Sequence, residues 1–482
     1  MSGNPIELSP ADPYEQVAYP GHPFPQTHPD RLATIARLFG MSPAPVEGCR
    51  VLELGCGDGG NLIPIAYTLR DSEFLGVDLS ARAIAAGMEM VQALGLDNVS
   101  LRRLDLLDAA DLGRFDYILA HGVYSWVPPT VQERMLALCR ESLNPHGVAY
   151  VSYSAYPGAH IRGMLAEMLQ YHAKRFAEPE QQIEQARALL AFLAAARPSE
   201  DAYDLLLRQH AEEVASRHRY SIFHDELSPC EPVYFHQFAA RAARHELQYL
   251  GEADFFEMQE TSQPPHVAAT LRELARDIID KEQFLDFLKC RRFRQTLLCP
   301  AEVKLNRRLE SGQMREFYVS VARRHGEEPV KAPTDHPLAK AAMEVLDDAW
   351  PAALSFGDLL ERVRARAGGG EDGAVLLADF LLAFYACGLF QLHMYLPQFG
   401  ATLSGRPRAS AVARWQVRNE AHVTTLCHYF VHLEDDLSRR LVTALDGSRD
   451  RAAIAAELGL PGPDDDLDRS LEGLAKLALL EG

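Results

Sequence analysis

The sequence predicts an α/β protein whose first half is built on a parallel sheet, and three observations support this. Short apolar segments alternate with amphipathic helices between residues 50 and 152, a glycine-rich turn joins the first segment to the first helix, and acidic residues recur where successive segments end. Strands separated by helices need crossover connections, which leave neighbouring strands parallel. Arg50–Leu54 reads as the first strand, Asn61–Leu69 as a helix, Glu73–Val77 as the second strand and Ala81–Leu94 as a helix with small and apolar residues on one face. Val99–Leu104 and Tyr117–Ala120 are the next strands. Thr130–Leu143 is a helix ending before Asn144-Pro145-His146-Gly147, and Val148–Ser152 is the fifth strand. The arrangement is Rossmann-like.

Composition narrows the class. A chain of 482 residues exceeds a single core. Its 47% hydrophobic and 24% charged residues suit a globular protein. No apolar run reaches the roughly 18 residues that span a bilayer. Met1–Pro13 lacks the basic start and apolar stretch of a secretory leader. A cytoplasmic location without a membrane partner is expected. The eight cysteines are scattered with no C-x-x-C pair, which argues against a disulfide framework and a zinc site, so no metal is expected. The formal charge of −19 disfavours a nucleic-acid partner and suits a basic or lysine-bearing one.

Upstream of the sheet, residues 1–45 are rich in proline and aromatics, with a helix at Pro29–Phe39 that ends at Gly40. Residues 46–159 form the core. Helical periodicity then takes over at Gly163–Phe176, Gln181–Ala195 and Ala202–His218, so residues 160–225 read as a helical insertion. Their apolar side chains suit ordinary helix packing, a homodimer contact or a substrate clamp. Glu246–Leu250 and Phe293–Leu298 are expected to close the sheet as an antiparallel pair, within a segment spanning 226–303. Residues 304–335 read as a linker, polar and proline-bearing over Arg324–His336. Beyond it, residues 336–400 and 401–482 each show short helices followed by an apolar stretch, Leu389–Met394 and Leu477–Leu480. Two winged-helix-like units, mainly α, account for this pattern. From Lys331 to Gly482 there are 15 basic and 22 acidic residues, so these units fit protein recognition better than DNA binding.

The turn Glu53-Leu54-Gly55-Cys56-Gly57-Asp58-Gly59-Gly60-Asn61 lies between a strand and a helix. Its glycines allow a sharp bend and close approach of a ligand, and the helix start adds free N–H groups. Dinucleotide sites need G-x-G-x-x-G, and the acids at 53 and 58 would repel a pyrophosphate. Those acids suit the ammonium of a methionine moiety instead. Asp78 closes the second strand before Leu79, placed for both ribose hydroxyls. Asp105 closes the third before Leu106, placed for an adenine amino group. The set points to S-adenosyl-L-methionine, with S-adenosyl-L-homocysteine as product, on a class I methyltransferase sheet. The expected contacts are Glu53, Gly55, Cys56, Gly57, Asp58, Gly59, Asn61, Asp78, Leu79, Asp105, Leu106, His121 and Gly122. Cys56 has no neighbouring base and reads as a small packed residue, not a nucleophile.

Residues 14–28 (YEQVAYPGHPFPQTH), 121–128 (HGVYSWVP), 150–158 (YVSYSAYPG) and 285–299 (LDFLKCRRFRQTLLC) resemble a bacterial methyltransferase family. Its members carry a methyltransferase regulatory region, and the family includes protein lysine methyltransferases acting on surface proteins. The resemblance covers about residues 10–303 and is weaker beyond. Ser154 stands where the pattern SYNxYPG has asparagine, a departure that bears on a polar role there and not on the fold. The resemblance implies a lid before the first strand, contacting the cofactor through Tyr19, Gln26, Thr27 and His28.

The loop after the fourth strand, His121–Pro128, is where such enzymes present the acceptor. It lacks Asn/Asp-Pro-Pro-Tyr, which disfavours adenine and glutamine N-methylation. Tyr124 and Trp126, with Tyr153 and Tyr156 behind them, are expected to wall an aromatic channel for an alkyl ammonium. His121 is expected on the cofactor side and not as a general base. Methyl transfer to accessible protein lysines by in-line displacement is the leading expectation. A small-molecule N- or O-methyltransferase and a non-catalytic cofactor-binding regulator are the alternatives.

Overall fold

Seven strands form one sheet in the computed structural model of the chain, which describes residues 13–196, 201–260, 263–322, 334–368, 370, 372–397, 399, 404–419, 422–460 and 465–482. They are β1 (Arg50–Leu54), β2 (Glu73–Asp78), β3 (Val99–Arg103), β4 (Phe115–Ala120), β5 (Leu143–Ser154), β6 (Leu247–Glu252) and β7 (Phe293–Pro300), in the order β3-β2-β1-β4-β5-β7-β6. β1 to β5 pair in parallel. β7 runs against both β5 and β6, with Val151 opposite Thr296 and Tyr249 opposite Leu298. The antiparallel closing strands expected from the sequence are therefore present, and the Rossmann-like class holds. Parallel strands covered on both faces carry near-continuous apolar runs, and Val51, Leu52 and Leu54 are all fully buried. The strand order reverses between β1 and β4, which opens a crevice at the carboxyl ends of these two strands.

Local chemistry sets the element ends. Ser80 caps the helix Ala81–Leu94 through its Oγ, 3.1 Å from the Ala83 N–H, and Gly95 ends it in the left-handed conformation. The insertion starts earlier than its periodicity indicates, with a helix at Gly158–Ala173, followed by Pro179–Ala196, Ala202–Ser216 and Arg219–Asp225. It has its own core around Leu165, Leu169, Ile183, Leu190 and Leu207. No helix of the described residues is long and apolar enough to cross a membrane.

The sheet is completed by charge as well as by apolar packing. Arg294 on β7 is among the largest fully buried side chains. It donates from Nη1 to Glu252 Oε1 at 2.6 Å, from Nη2 to Glu282 Oε2 at 3.1 Å and from Nε to Asp286 Oδ2 at 2.9 Å. Its guanidinium also lies 3.8 Å from the Phe235 ring centroid. β7, β6 and the helices Phe235–Arg244 and Ile278–Lys289 are thus tied to one cation. At the outer edge, Arg307 donates to the carbonyls of Tyr249 and Leu250, covering β6.

The C-terminal half forms two further units. β8 (Tyr318–Val321), β9 (Leu354–Ser355) and β10 (Phe390–His393) make a small antiparallel sheet against the helices Pro337–Ala349, Phe356–Ala367 and Gly373–Ala386. β8 comes from before the expected winged-helix segment. It was hidden because its four residues adjoin a polar stretch, and most of that stretch, residues 323–333, lies outside the described residues. Helix Pro29–Leu38 packs on β10, where Thr34 Oγ donates to the Leu392 carbonyl at 3.3 Å, so the main sheet and this unit share a continuous core. In the last unit the hairpin is β11 (His422–Thr424) with β12 (Phe430–His432). The apolar stretch Leu477–Leu480 is not a strand. It contributes one bridge, Ala409 to Leu480, and otherwise fills the core.

Replacing Arg294 with Leu leaves Glu252 buried without a cation, and Glu282 and Asp286 with Arg291 alone. Denaturant unfolding is expected to show a loss of about 3–5 kcal/mol. A loss under 1 kcal/mol would mean that the carboxylates take up protons and relax.

Candidate active site

The crevice begins at β1. Glu53 is 3% exposed, its Oε1 accepts from Asn61 Nδ2 at 2.7 Å, and its Oε2 is buried with no hydrogen-bond partner. Burial pushes its pKa up to about 8, opposed by the Asn61 bond and reinforced by the charges of Asp78 and Asp58. A buried carboxylate oxygen without a donor costs free energy, so this group is suited to meet a cation. Gly57 follows at φ +56°, and a side chain there would meet nothing within 4 Å, so its face is open to a ligand. Its N–H donates to Asp78 Oδ2 at 2.8 Å, while Asp78 Oδ1 accepts from Ser80 N–H at 2.8 Å. These two bonds hold the Asp78 carboxylate at the end of β2, beside the glycine turn. Asp105 is held at the end of β3 by the Leu107 N–H, 2.9 Å from its Oδ1.

The far wall is His121, after β4. Its Nδ1 lies 2.8 Å from the Tyr150 hydroxyl, and Phe24 stacks on its ring at 3.7 Å. Burial lowers its pKa to about 3, so the imidazole is neutral and too weak to act as a base. The next residue, Gly122, donates to Ser152 Oγ at 2.8 Å, and its missing side chain leaves open space. Glu53, Gly55, Gly57, Asp58, Gly59, Asn61, Asp78, Leu79, Asp105, Leu106, His121 and Gly122 therefore all sit at, or just beyond, the carboxyl ends of β1 to β4. The orphaned acid, the open glycine faces and the strand-end carboxylates together fit S-adenosylmethionine. Cys56 differs, because its thiol is buried under the turn, close to Gly76.

The segment before β1 lies directly on this turn. Gly21 N–H donates to Asp58 Oδ2 at 3.2 Å, and Phe24 N–H to Asn61 Oδ1 at 3.0 Å. A side chain on Gly60 would sit 2.5 Å from the Gly21 backbone, so only glycine permits the approach. Glu15 accepts from Ser80 Oγ at 2.8 Å, and Tyr14 stacks on His224 of the insertion at 4.5 Å. Of the residues expected to touch the cofactor from here, Thr27 reaches Asn61. Tyr19 is half-exposed against Tyr220. Gln26 and His28 turn the other way, into a cavity of about 820 Å³ whose lining includes none of residues 53–61, 78 or 105. His28 caps helix Pro29–Leu38 and stacks on Tyr395, so it is structural. Glu15, Gly21, Phe24 and Ser152 were missed in the sequence, where nothing marks which residues of an apolar, proline-rich segment will face a loop.

The expected aromatic channel is corrected. Tyr124 is 0% and Tyr153 1% exposed. Both pack on Phe238 beneath the sheet, at 5.2 and 4.2 Å between ring centroids. Gln132 Nε2 donates to the Tyr124 carbonyl at 2.9 Å, and Arg241 reaches the Tyr124 hydroxyl at 3.3 Å. Successive strand residues alternate faces, and Tyr153 falls on the inner one. Trp126 and Tyr156 remain partly exposed, and Phe293 on β7 is 41% exposed, 6.2 Å from the His121 ring. Ser154 accepts from the Cys230 thiol at 3.4 Å, which links β5 to the segment after the insertion. Among the described residues no group of three or more His, Cys, Asp or Glu could hold a metal ion.

Comparison with known proteins agrees with this geometry. Residues 52–149 match the family described as methyltransferase domain, residues 218–300 the predicted methyltransferase regulatory domain, and residues 405–460 the PKMT C-terminal winged helix domain. Protein RP789 of Rickettsia prowazekii is 37% identical over 311 residues, covering 64% of this chain and 56% of its own length. Protein RP028 of the same organism is 36% identical over 240 residues, 49% of this chain and 96% of its own. The chain thus spans just over half of one curated relative and nearly all of the other. The structure of PKMT2 from Rickettsia typhi superposes with a TM-score of 0.85 at 27% identity, over 96% of this chain and 100% of that one, and it has also been solved in complex with AdoHcy.

The Glu53→Gln variant tests the orphaned acid. Because the native pKa of Glu53, about 8, lies above its ordinary 4.5, its contribution to stability is complete at low pH and is lost as pH rises through 8. The amide removes this loss. Thermal unfolding of the cofactor-free variant is expected to exceed wild type above pH 8, while S-adenosylhomocysteine binds about tenfold more weakly by calorimetry. Unchanged affinity would remove Glu53 from the site.

Proposed function

Since the chain belongs to the S-adenosylmethionine-dependent methyltransferases that carry a methyltransferase regulatory domain, we propose that it methylates lysine side-chain amines on protein acceptors. The observation that carries this reading is the likeness to PKMT2, a protein lysine methyltransferase, over the whole of that chain, C-terminal winged-helix domain included. A shared cofactor domain alone would say nothing of the acceptor.

Bound S-adenosylmethionine supplies an electrophilic sulfonium methyl group. Glu53 would hold its ammonium, Asp78 its ribose and Asp105 its adenine. The segment around Gly21–Thr27 shields the turn from water, and the His121–Phe24 stack forms an apolar wall beside the crevice. The acceptor lysine must arrive neutral. With an ordinary pKa near 10.4, that costs roughly 4–5 kcal/mol at pH 7. His121 is neutral and weakly basic, so the ammonium proton leaves to water and burial beside the sulfonium favours the free amine. The residues then contribute mainly alignment. Phe293, Trp126 and Tyr156, which keep exposed ring surface, replace Tyr124 and Tyr153 as the aromatic contacts for the lysine stem.

Incubation with cofactor and a host-cell lysate, followed by peptide mass spectrometry, tests the reading. Lysine-bound increments of about 14 mass units per methyl, absent with Asp78→Ala, are expected. Turnover confined to the protein-free fraction would assign a small-molecule acceptor instead, and no turnover in either fraction would leave a cofactor-binding regulator.

A further inference from the structure

Asn61 has more partners than its place in the turn requires. Its Nδ2 donates to Glu53, and its Oδ1 accepts from the Phe24 N–H. The second bond fixes the amide orientation, because a backbone N–H only donates and must therefore face the amide oxygen. The same Oδ1 lies 2.9 Å from Nε2 of His428, a residue 367 positions away at the tip of the β11–β12 hairpin. His428 must therefore donate, so its hydrogen is on Nε2. Its Nδ1 is then a buried acceptor, and it has no partner. Burial, with the nearby His28, holds its pKa well below the ordinary value, in keeping with a neutral ring.

The hairpin tip is shaped to make this contact. His428 adopts φ +60°, a left-handed conformation that costs a non-glycine residue about 1 kcal/mol or more and persists only where the surroundings enforce it. Three bonds do so. Thr425 N–H donates to the Tyr429 carbonyl at 2.9 Å, His428 N–H to the Thr425 carbonyl at 2.9 Å, and Tyr429 N–H to Thr425 Oγ at 3.1 Å. The tip is anchored in turn by Leu426 N–H on the Ala478 carbonyl at 2.8 Å, and by Gln391 Nε2 on the Tyr429 hydroxyl at 2.6 Å. A second contact lies nearby, where the Tyr67 hydroxyl accepts from the Ala411 N–H at 3.1 Å and meets Glu481. Helix Leu62–Thr68, which starts at the cofactor turn, is thus gripped at both ends by the last domain.

We propose that the C-terminal winged-helix domain completes the cofactor site, with His428 as a positioning residue that holds Asn61, and through it Glu53, in the orientation that receives the cofactor ammonium. This deepens the methyltransferase reading and rests on it. The domain is then a condition of cofactor binding as well as a surface for partners. Any partner that draws the hairpin outward weakens the hold on cofactor without touching the crevice.

Calorimetric titration of the full chain with S-adenosylhomocysteine tests this. Wild type is measured first, and failure to bind would sink the cofactor reading itself. Given binding, His428→Gly is the informative variant, because glycine accepts φ +60° and the hairpin keeps its shape. Its dissociation constant is expected to rise about tenfold with the thermal midpoint unchanged or raised, and His428→Gln, which restores an N–H donor, should recover most of the loss. A second readout is the pH dependence of binding. With Asn61 released, Glu53 loses a bond that favours its charged form, so the pH at which affinity rises should move upward in His428→Gly and return in His428→Gln. Wild-type affinity and an unshifted profile in His428→Gly would overturn the proposal. Weakened binding that His428→Gln does not recover, with no shift in profile, would also overturn it, reducing His428 to a packing contact.

Discussion

The buried guanidinium of Arg294 is the constraint on which the architecture turns. Without it, Glu252 on β6 would lose its buried cation, and Glu282 and Asp286 on the helix Ile278–Lys289 would be left with Arg291 alone. With it, the segment after the insertion returns to the sheet, and β5 becomes an interior strand. That return also places Glu231 N–H on the Ser125 carbonyl at 2.7 Å and Arg241 on Tyr124, fixing the loop after β4 from outside the nucleotide-binding half. The regulatory segment is a structural part of the catalytic sheet.

A second economy is visible around the turn between β1 and its helix. A short amide at 61 joins an acid on β1, the strap before β1 and the last domain. Three stretches of chain with different fold roles meet within one hydrogen-bonding sphere. The glycines at 21 and 60 make this meeting sterically feasible, since the backbones touch where side chains would normally stand.

How much of this could be read in advance depends on distance along the chain. The strands at Arg50, Glu73 and Val99 and the helix Ala81–Leu94 were legible because period and capping are local properties. The acids at 53, 78 and 105 were legible because topology alone puts strand ends together. Tyr124 and Tyr153 were misread because which face a side chain takes depends on the layer packed against it, here Phe238, more than 80 residues later. Gln26 and His28 were misassigned for a related reason. A residue one position from Thr27 points elsewhere, and polarity carries no direction. The short strands β8, β9, β11 and β12 have too few residues to show a period, and the contact of His428 with Asn61 has no trace in composition or spacing.

The two borders of the main sheet show how the chain avoids sticking to itself. β3 is the outer strand on one side, and its Ser100, Arg102 and Arg103 are exposed. A neighbouring molecule that tried to add a strand there would have to desolvate two guanidinium groups. On the other side, Arg307 already occupies carbonyls of β6 that a foreign strand would need. One border is guarded by charge and the other by a side chain in place of a strand, so both rims of the main sheet disfavour the addition of a foreign strand.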